Sequence, residues 1–379
     1  MLHRIFLTLV CGLCVVGSFA QGVTAPASTR YHKPGLLKRM FIGKNYRDVW
    51  SHPVSLHVFR LKDEKGGLTV KKLGGGQQTK SLQMEDKTGE EWVLRTIDKT
   101  VDKAMEAEGI KSGFIKKVTQ DMISAAQPYG ALTVPPMAKA LGVVTADPIL
   151  VYVPADAGIG EHQDLFTGQL CLFEKREPKL KPVDKVEDTD TMLKDLKEGK
   201  KKFRFDAPML LQARLLDMLI GDWDRHGGQW KWGYRLLRRD SVYIYPIPVD
   251  HDQAFFHSTG ALVPIVRLFT MKHLVGYDDD RLKLRGLNRK EWDFDKKLLG
   301  SLSEADWRAG VETFQQKLTD NVLIAAVRRL PAEIHESHGE QLLRTLKSRR
   351  NEMDDEVMKY YRFLQGHKVK EPEGAAKEK

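Results

Sequence analysis

The sequence predicts an α+β fold, in which a β-rich first half is followed by a mainly helical second half. Residues 54–94 alternate short apolar runs with glycine-containing turns, which is typical of an antiparallel meander. Residues 262–364 instead carry apolar positions at the spacing of helix faces. With 379 residues, the chain is long enough to bury a sizeable core in one large or two smaller domains.

Residues 1–20 have the composition of a removable export signal. Arg4 supplies a positive start, and residues 5–16 are almost entirely apolar. Ser18 and Ala20 are small enough for a cleavage site. The apolar run is too short to span a bilayer. We therefore expect an exported protein cleaved after Ala20; an uncut amino-terminal anchor is the alternative.

Composition restricts both the chemistry and the partners. Cys171 is the only cysteine of the predicted mature chain, so no internal disulfide can form, and its apolar neighbours favour a core residue over a nucleophile. The formal net charge is +10, or +9 without Arg4, which favours anionic partners, although charge spread over a solvated surface is the preferred interpretation. No nucleic-acid-binding motif is present, so we expect no nucleic-acid partner.

Changes in composition divide the chain into segments. Residues 21–50 are basic and contain prolines, which predicts a linker. Residues 175–205 are dense in charge with few apolar anchors, which predicts an exposed, mobile insertion. The β-rich part then spans 51–174 and the helical part 206–365. Residues 366–379 are charged and are expected to be disordered.

The predicted meander contains a glycine-rich loop. Gly74, Gly75 and Gly76 follow one strand, and the next strand begins near Ser81. Backbone amides of such a loop can hold phosphate groups. A plain flexible turn is the alternative.

A helix in the second half leads into a first acidic cluster. Asp206 is a suitable N-cap, leucines between 210 and 219 form a buried stripe, and Gly221 ends the helix. The residues DWDRH at 222–226 therefore lie on the loop beyond it.

A second acidic cluster, DHD at 250–252, follows a predicted strand at 242–249. An antiparallel pair, 234–237 against 242–245, would bring both clusters close together. Carboxylates at that distance need a cation or a shared proton between them. Hard oxygen ligands suit Mg²⁺ or Mn²⁺, and a metal between acidic loops, with a phosphate-binding loop elsewhere, is what phosphoryl transfer requires.

Two stretches around these clusters resemble the catalytic core of atypical kinases. They are IGDWDRHGGQ at 220–229 and PVDHDQAF at 248–255. The resemblance is to secretory-pathway casein kinases, phosphoinositide kinases, HipA toxins and spore-coat CotH kinases. It implies a two-lobed protein-kinase-like fold, with a small antiparallel β-rich N-lobe and a larger, mainly helical C-lobe. The stretches are also similar to an uncharacterised family of exported Gram-negative proteins, which implies the periplasm or cell envelope, with outer-membrane or envelope components as partners.

The resemblance also implies roles for individual residues. Asp224 would be the catalytic carboxylate, in a loop that it shares with Arg225 and His226. The implied cofactors are Mg²⁺ or Mn²⁺ and ATP, and the implied partners are a nucleotide and an unidentified phosphoacceptor. The metal positions would be Gln229 first and either Asp250 or Asp252 second.

Two positions depart from the pattern of those families. Gln229 stands where an Asn or an acid is usual, and a neutral amide is a poorer ligand than an acid. Arg95 stands where a Lys is expected to grip phosphate, with Lys99 as a nearby substitute. The candidates for an acidic partner of that base are Glu106, Glu108 and Asp121.

Two other functions stay open. Clustered Asp and His side chains could form a metal-dependent phosphoesterase or nuclease site. The fold could also serve a non-catalytic role in envelope assembly, in which case Asp224 only pairs or caps a turn and residues 250–252 form an Asx-type turn. The phosphoesterase ligands would be Asp222, Asp224, His226, Asp250, His251 and Asp252.

Overall fold

The computed structural model confirms the α+β, two-lobed arrangement, with a β-sheet in the first half and mainly helices in the second. The predicted export signal at 1–20 lies outside the described residues, as do Gly76, Glu108 and the tail from residue 370. The structure describes residues 22–32, 34–75, 79–107, 109, 111–199, 202–238, 241–261, 276–277 and 282–369.

The strands of the first half form one seven-stranded sheet. They are β1 (Val23–Ala25), β2 (Val54–Val58), β3 (Leu68–Gly74), β4 (Ser81–Asp86), β5 (Glu91–Thr96), β6 (Ile149–Val153) and β7 (Gln169–Lys175). Their order across the sheet is β1-β2-β6-β7-β5-β4-β3. The predicted meander is the antiparallel series β3, β4 and β5. β5 then pairs antiparallel with β7. This pairing could not be predicted from the order of the strands along the chain.

A small apolar core supports this sheet. Leu82, Leu94 and Val151 belong to it, and Cys171 lies among them with 0% exposure. Burial raises the pKa of the Cys171 thiol, so the sulfur stays protonated and unreactive. Cys171 is therefore a core residue, as its apolar neighbours predicted.

Short helices lie between the strands of this sheet. α4 begins after Ser112, whose hydroxyl accepts a hydrogen bond from the Ile115 N–H at 3.4 Å. α5 begins with prolines in its first turn and ends at Gly142 in the left-handed conformation. The helices are α1 (Leu36–Ile42), α2 (Arg47–Ser51), α3 (Asp102–Ala107), α4 (Gly113–Met122), α5 (Val134–Leu141) and α6 (Gln163–Phe166).

Residues 21–50 differ from the predicted linker. Val23 pairs with Leu56 where β1 joins β2. Trp50 is 1% exposed, and its indole N–H donates to the Ala126 carbonyl at 2.9 Å. The linker prediction is wrong over the described part of this segment, because a few widely spaced apolar residues are enough to anchor it to the sheet and core.

Residues 175–205 are also ordered, contrary to the predicted mobile insertion. They contain β8 (Lys185–Asp188), α7 (Thr189–Glu198) and β9 (Lys202–Phe205). β10 (Trp230–Arg238) and β11 (Ser241–Pro248) form the predicted hairpin, and the four strands make a second sheet in the order β8-β10-β11-β9. The insertion prediction is wrong because both outer strands obtain their backbone hydrogen bonds from the central hairpin.

Helices build most of the second half. α8 (Ala207–Ile220) runs through its centre, is capped by Asp206 as predicted, and has nearly all of its residues buried. Ser303 and Asp306 form the predicted capping box. In the described part of the chain, no helix combines the length and apolar character needed to cross a bilayer. The later helices are α9 (Leu284–Leu287), α10 (Trp292–Leu299), α11 (Glu304–Lys317), α12 (Asp320–Val327), α13 (Ala332–Ile334) and α14 (Glu340–Gly366).

Candidate active site

The hairpin of β10 and β11 brings the two acidic clusters together, as the sequence predicted. α8 ends at Gly221, which adopts the left-handed conformation with φ +68°. The chain then passes through the first acidic cluster at 222–226, which we call the acidic loop. It continues into β10, where Trp230 pairs with Pro248. The Val249 N–H donates to the Gln229 carbonyl at 3.0 Å. The ends of the two clusters are therefore neighbours across the hairpin.

Asp224 lies at the partly exposed rim of this loop. Its side chain is 28% exposed and forms an ion pair with the Lys290 ammonium group. Lys290 also lies 5.0 Å from the centre of the Trp223 ring, a distance at which a cation is attracted to the ring face. Lys290 lies in the turn between α9 and α10, 66 residues further on, and no sequence pattern predicted its contact with Asp224.

The second cluster has an unusual backbone. Asp250 has φ +61° and Phe255 has φ +62°, values that residues other than glycine rarely adopt. Such conformations collect at functional loops, where surrounding contacts hold them in place. Burial raises the pKa of the Asp250 carboxyl, and the nearby charge of Asp252 raises it further.

A cleft separates this second cluster from the first sheet. Arg95 and Lys99 reach it from the end of β5, and Asp250 and Asp252 face them from beyond β11. The Lys99 ammonium group forms an ion pair with the Asp252 carboxylate. Other walls of the cleft are apolar and include the residues Trp50, Ile97, Val134, Pro148 and Leu172. The lining therefore combines charged and apolar side chains, a composition that small-molecule sites share.

Glu174 is the acidic partner that the sequence left open. It lies on β7 and accepts a hydrogen bond from Arg95 Nη2 at 3.3 Å. Of the three predicted candidates, Asp121 pairs with Arg47 and Glu106 with Lys116. The third candidate, Glu108, lies outside the described residues. The available signal was that Glu174 directly follows the apolar run 170–173 of β7.

The glycine loop lies at the same end of the first sheet as the cleft. Gly74 pairs with Ser81, and Ser81 pairs in turn with Arg95 across β4 and β5. Gly75 has φ +110°, and a Cβ atom there would lie only 2.4 Å from the Thr79 carbonyl oxygen. A side chain would therefore open this tight turn, whose far residue Thr79 lines the cleft.

Gln229 offers an oxygen atom without a hydrogen-bond partner. Its side chain is buried, and its Oε1 atom accepts no hydrogen bond from the described residues. A buried amide oxygen in that state has an unmet need for a donor or a cation. Among the same residues, no three His, Cys, Asp or Glu side chains are arranged to hold a metal by themselves. Mg²⁺ commonly needs only one or two protein ligands, with phosphate and water completing its shell.

Arg225 is buried, with 1% exposure, and holds the loop in place. Its guanidinium group donates to the carbonyls of Gln229 and Val249 at 3.2 and 2.6 Å. It also donates to Asp222 Oδ2 at 2.8 Å and Asp217 Oδ1 at 3.0 Å. Arg225 therefore positions both clusters and does not itself reach the cleft surface.

The two histidines of the clusters, His226 and His251, have contacts that suit a structural role. His226 is exposed, and its Nδ1 atom accepts a hydrogen bond from the Gly228 N–H at 3.2 Å. Burial lowers the pKa of His251, and the adjacent Arg225 lowers it further, so this imidazole is neutral.

A second contact joins the loop to the segment predicted as an insertion. Thr189, at the start of α7, donates through its hydroxyl to the Gly227 carbonyl at 2.5 Å. The same hydroxyl accepts a hydrogen bond from the Trp232 indole at 3.1 Å. The segment 175–205 thus supports the acidic loop directly.

A buried ionic network extends from Arg225 into the helical half. Asp217 bridges Arg225 and Arg214, and Arg214 in turn donates to both carboxylate oxygens of Asp295 at 2.8 and 3.1 Å. The Tyr360 hydroxyl completes the chain by donating to Asp295 at 2.7 Å. Four charged groups in succession are almost fully buried, which makes this network the frame on which the acidic loop is built.

The last helix also holds the end of α8. Arg349 on α14 donates from Nε to the Leu219 carbonyl and from Nη2 to the Met218 carbonyl, both at 2.9 Å. These carbonyls belong to the final turn of α8, where helical hydrogen bonds run out. Arg349 therefore fixes the point from which the acidic loop departs.

Glu291, beside this network, should make stability depend on pH. Burial raises the pKa of its carboxyl to about 8, whereas an exposed Glu has a pKa near 4.3. Between those values the folded state keeps a proton that the unfolded state has released, so stability falls as pH rises. Gln does not titrate. We therefore expect the free energy of unfolding of Glu291→Gln, relative to that of the wild type, to rise by about 1.4 kcal/mol per pH unit across that window.

Urea unfolding of both proteins at pH 5 and pH 8 measures this difference. Parallel pH dependence of the two free energies of unfolding would contradict the assignment. Glu312→Gln, on the exposed face of α11, is the control and should follow the wild type.

No family model and no curated protein matches this sequence. Among solved structures, the chain is similar to the proinflammatory kinase CtkA of Helicobacter pylori, with 12% identity, a TM-score of 0.38 and coverage of 75% of this chain and 94% of that one. It is similar to HipA of Shewanella oneidensis MR-1, solved with HipB and operator DNA, at 13% identity and a TM-score of 0.39, covering 83% of this chain and 70% of that one.

The chain is also similar to the Rio2 kinase of Chaetomium thermophilum, solved as an ADP/Mg²⁺-phosphoaspartate complex. The identity is 14% and the TM-score 0.33, with coverage of 75% of this chain and 72% of that one. These values are too low to assign a function, which depends on the geometry of the site itself.

Proposed function

We propose that this protein is a kinase-like phosphotransferase that uses a nucleotide and Mg²⁺ or Mn²⁺, with Asp224 as its catalytic carboxylate. The cleft carries the proposal, because Arg95 and Lys99 from the first sheet face Asp250 and Asp252 from the second half within it. Paired cations opposite paired carboxylates suit a ligand that brings both phosphate and a divalent metal.

Each side of the cleft has a distinct task in this proposal. Arg95 and Lys99 bind the phosphate groups, and the apolar wall that includes Trp50 and Leu172 receives the base. Asp250 and the partnerless amide oxygen of Gln229 would hold the metal. When bound, the metal neutralises the charge of the phosphate groups.

Asp224 acts on the phosphoacceptor. As the acceptor hydroxyl oxygen forms a bond to the γ-phosphorus, the bond from that phosphorus to its bridging oxygen breaks, and Asp224 takes the hydroxyl proton. Lys290 must release Asp224 before the hydroxyl can approach. The Lys290 side chain is 36% exposed, so it can turn towards the transferred phosphoryl group without leaving a fully buried position.

A non-catalytic role is the second candidate, and two observations favour it. The protein's own lysines neutralise two site carboxylates, Lys99 at Asp252 and Lys290 at Asp224. When lysines of the protein already neutralise these carboxylates, the carboxylates are less available to a metal or a hydroxyl group. Such a site suits a module that binds an envelope partner without catalysis. In either role, the composition of residues 1–20 supports export to the periplasm or cell envelope. A phosphoesterase that relies on Asp and His ligands alone is not proposed, because no three such side chains among the described residues are arranged to hold a metal.

A thermal shift with nucleotide and metal tests the first candidate. At a hundredfold excess over the dissociation constant, Mg²⁺ and ATP should stabilise the fold by about 2.7 kcal/mol and raise the Tm by a few degrees. Asp250→Asn should lose this shift, whereas Asp354→Asn, on the exposed side of α14, should keep it. ATP is scarce outside the cytoplasm, so other nucleoside triphosphates and Mn²⁺ belong in the same titration. No shift with any of them would leave only the non-catalytic candidate.

A further inference from the structure

Helix α1 presents large apolar side chains to solvent. Leu36 is 85% exposed, Met40 55% and Phe41 40%. Ile115, on the neighbouring helix α4, is 46% exposed. Single exposed apolar residues are common on soluble proteins, but several on adjacent helices indicate a contact surface. We call these four residues the α1 patch.

The segment that contains α1 carries positively charged side chains and no negatively charged ones. Residues 22–47 include Arg30, Lys33, Lys38, Arg39, Lys44 and Arg47 and contain no Asp or Glu. Among these, Arg39 and Lys44 are exposed beside the patch, while Arg47 is buried against Asp121. Two exposed cations, Arg39 and Lys44, therefore lie next to the α1 patch along the chain.

We propose that the α1 patch docks on the surface of a lipid bilayer that contains anionic lipids. Large apolar side chains surrounded by Lys and Arg are typical of helices that lie in the membrane interface. The apolar groups enter the boundary between headgroups and acyl chains, and the cations bind the negative surface.

The charge around the patch separates this partner from two others. A second copy of the chain would bring the same positive charge against the patch, which disfavours a symmetric dimer. A protein partner is less well matched, because protein interfaces are depleted in Lys, whereas membrane-surface helices are enriched in it. The proposal does not depend on catalysis, since no residue of the α1 patch lines the candidate active site.

Cosedimentation with vesicles tests the proposal. The vesicles are phosphatidylcholine alone, or phosphatidylcholine mixed with phosphatidylglycerol. The full chain is compared with one that lacks residues 1–20, because their apolar run can bind lipid by itself. We expect both forms to bind the mixed vesicles more strongly, and the shorter form to lose most of its binding at high salt.

Paired variants locate the contact. The double variant Leu36→Asp/Met40→Asp should weaken binding of the shorter form by about tenfold or more. Arg39→Glu/Lys44→Glu should weaken it by a similar factor and reduce its dependence on salt. Leu236→Asp replaces a leucine that is 66% exposed on β10, far from α1 in the sequence, and should bind as the wild type does.

Several outcomes would overturn the proposal. They are equal binding to both kinds of vesicle, equal loss in the Leu236→Asp control, or no vesicle binding by the shorter form. Concentration-dependent self-association that the patch variants abolish, without vesicle binding, would assign the patch to a second copy instead. Vesicle binding that the patch variants leave intact would move the contact elsewhere. Unfolding midpoints close to that of the wild type would show that the exposed substitutions preserve the fold.

Discussion

Replacing Asp224 by Asn should lower the rate of phosphoryl transfer by about 10²–10⁴-fold, the usual contribution of a proton-accepting side chain. Asn has nearly the same size but cannot take the hydroxyl proton. Because Asp224 is partly exposed and lies outside the buried network, the fold should keep its stability. Release of ADP from ATP, with water or an added hydroxyl compound as acceptor, measures the rate.

The comparison needs nucleotide binding as a second measurement. Asp224→Asn should still show the thermal shift with Mg²⁺ and ATP, since Asp224 does not line the cleft in which we propose that the nucleotide binds. Asp354→Asn, on the exposed side of α14, should retain both rate and shift. An Asp224→Asn protein that transfers phosphate as fast as the wild type would exclude Asp224 as the catalytic carboxylate.

Replacing Arg214 by Met should lower the free energy of unfolding by about 3–5 kcal/mol, the typical cost of removing one partner from a buried ionic pair. Methionine fills similar space but leaves the buried Asp295 carboxylate without its cation and Asp217 with Arg225 as its remaining cation. Arg214 has 0% side-chain exposure and both partners are 1% exposed or less, so water cannot replace it. Denaturant unfolding monitored by tryptophan fluorescence gives the difference.

An exposed pair of the same type is the control. Arg308 pairs with Glu304 on α11 and is 52% exposed. Arg308→Met should therefore change the free energy of unfolding by no more than about 1 kcal/mol. If the two arginine variants are equally stable, the buried network does not support the acidic loop as described.

The features predictable from the sequence are those set by neighbouring residues. The meander, helix α8 with its Asp206 cap, and the hairpin between the two acidic clusters all follow from local spacing and turn residues. That hairpin also fixes the proximity of the clusters, since its register is set by the strands themselves. The closeness of the two clusters was therefore predictable, whereas the roles of residues 222–252 stay a prediction.

The features that the sequence did not reveal depend on distant partners. β8 and β9 contain few apolar residues and become strands only because β10 and β11 lie beside them. Glu174 meets Arg95 only because β5 pairs with β7. On α8, the charges of Arg214 and Asp217 interrupt an apolar stripe, which was a visible sign of a buried pair, but Asp295 lies 81 residues away from Arg214 and no local pattern connects them.

The hydrogen bonds from Arg349 to the end of α8 have a consequence for the order in which the protein folds during synthesis. The acidic loop is translated more than a hundred residues before Arg349, since the hydrogen bond to Leu219 spans 130 positions. A nascent chain that has already produced Asp224 therefore still lacks the group that fixes the geometry of the loop. The loop can reach its final shape only after Arg349 has been translated and has met the end of α8.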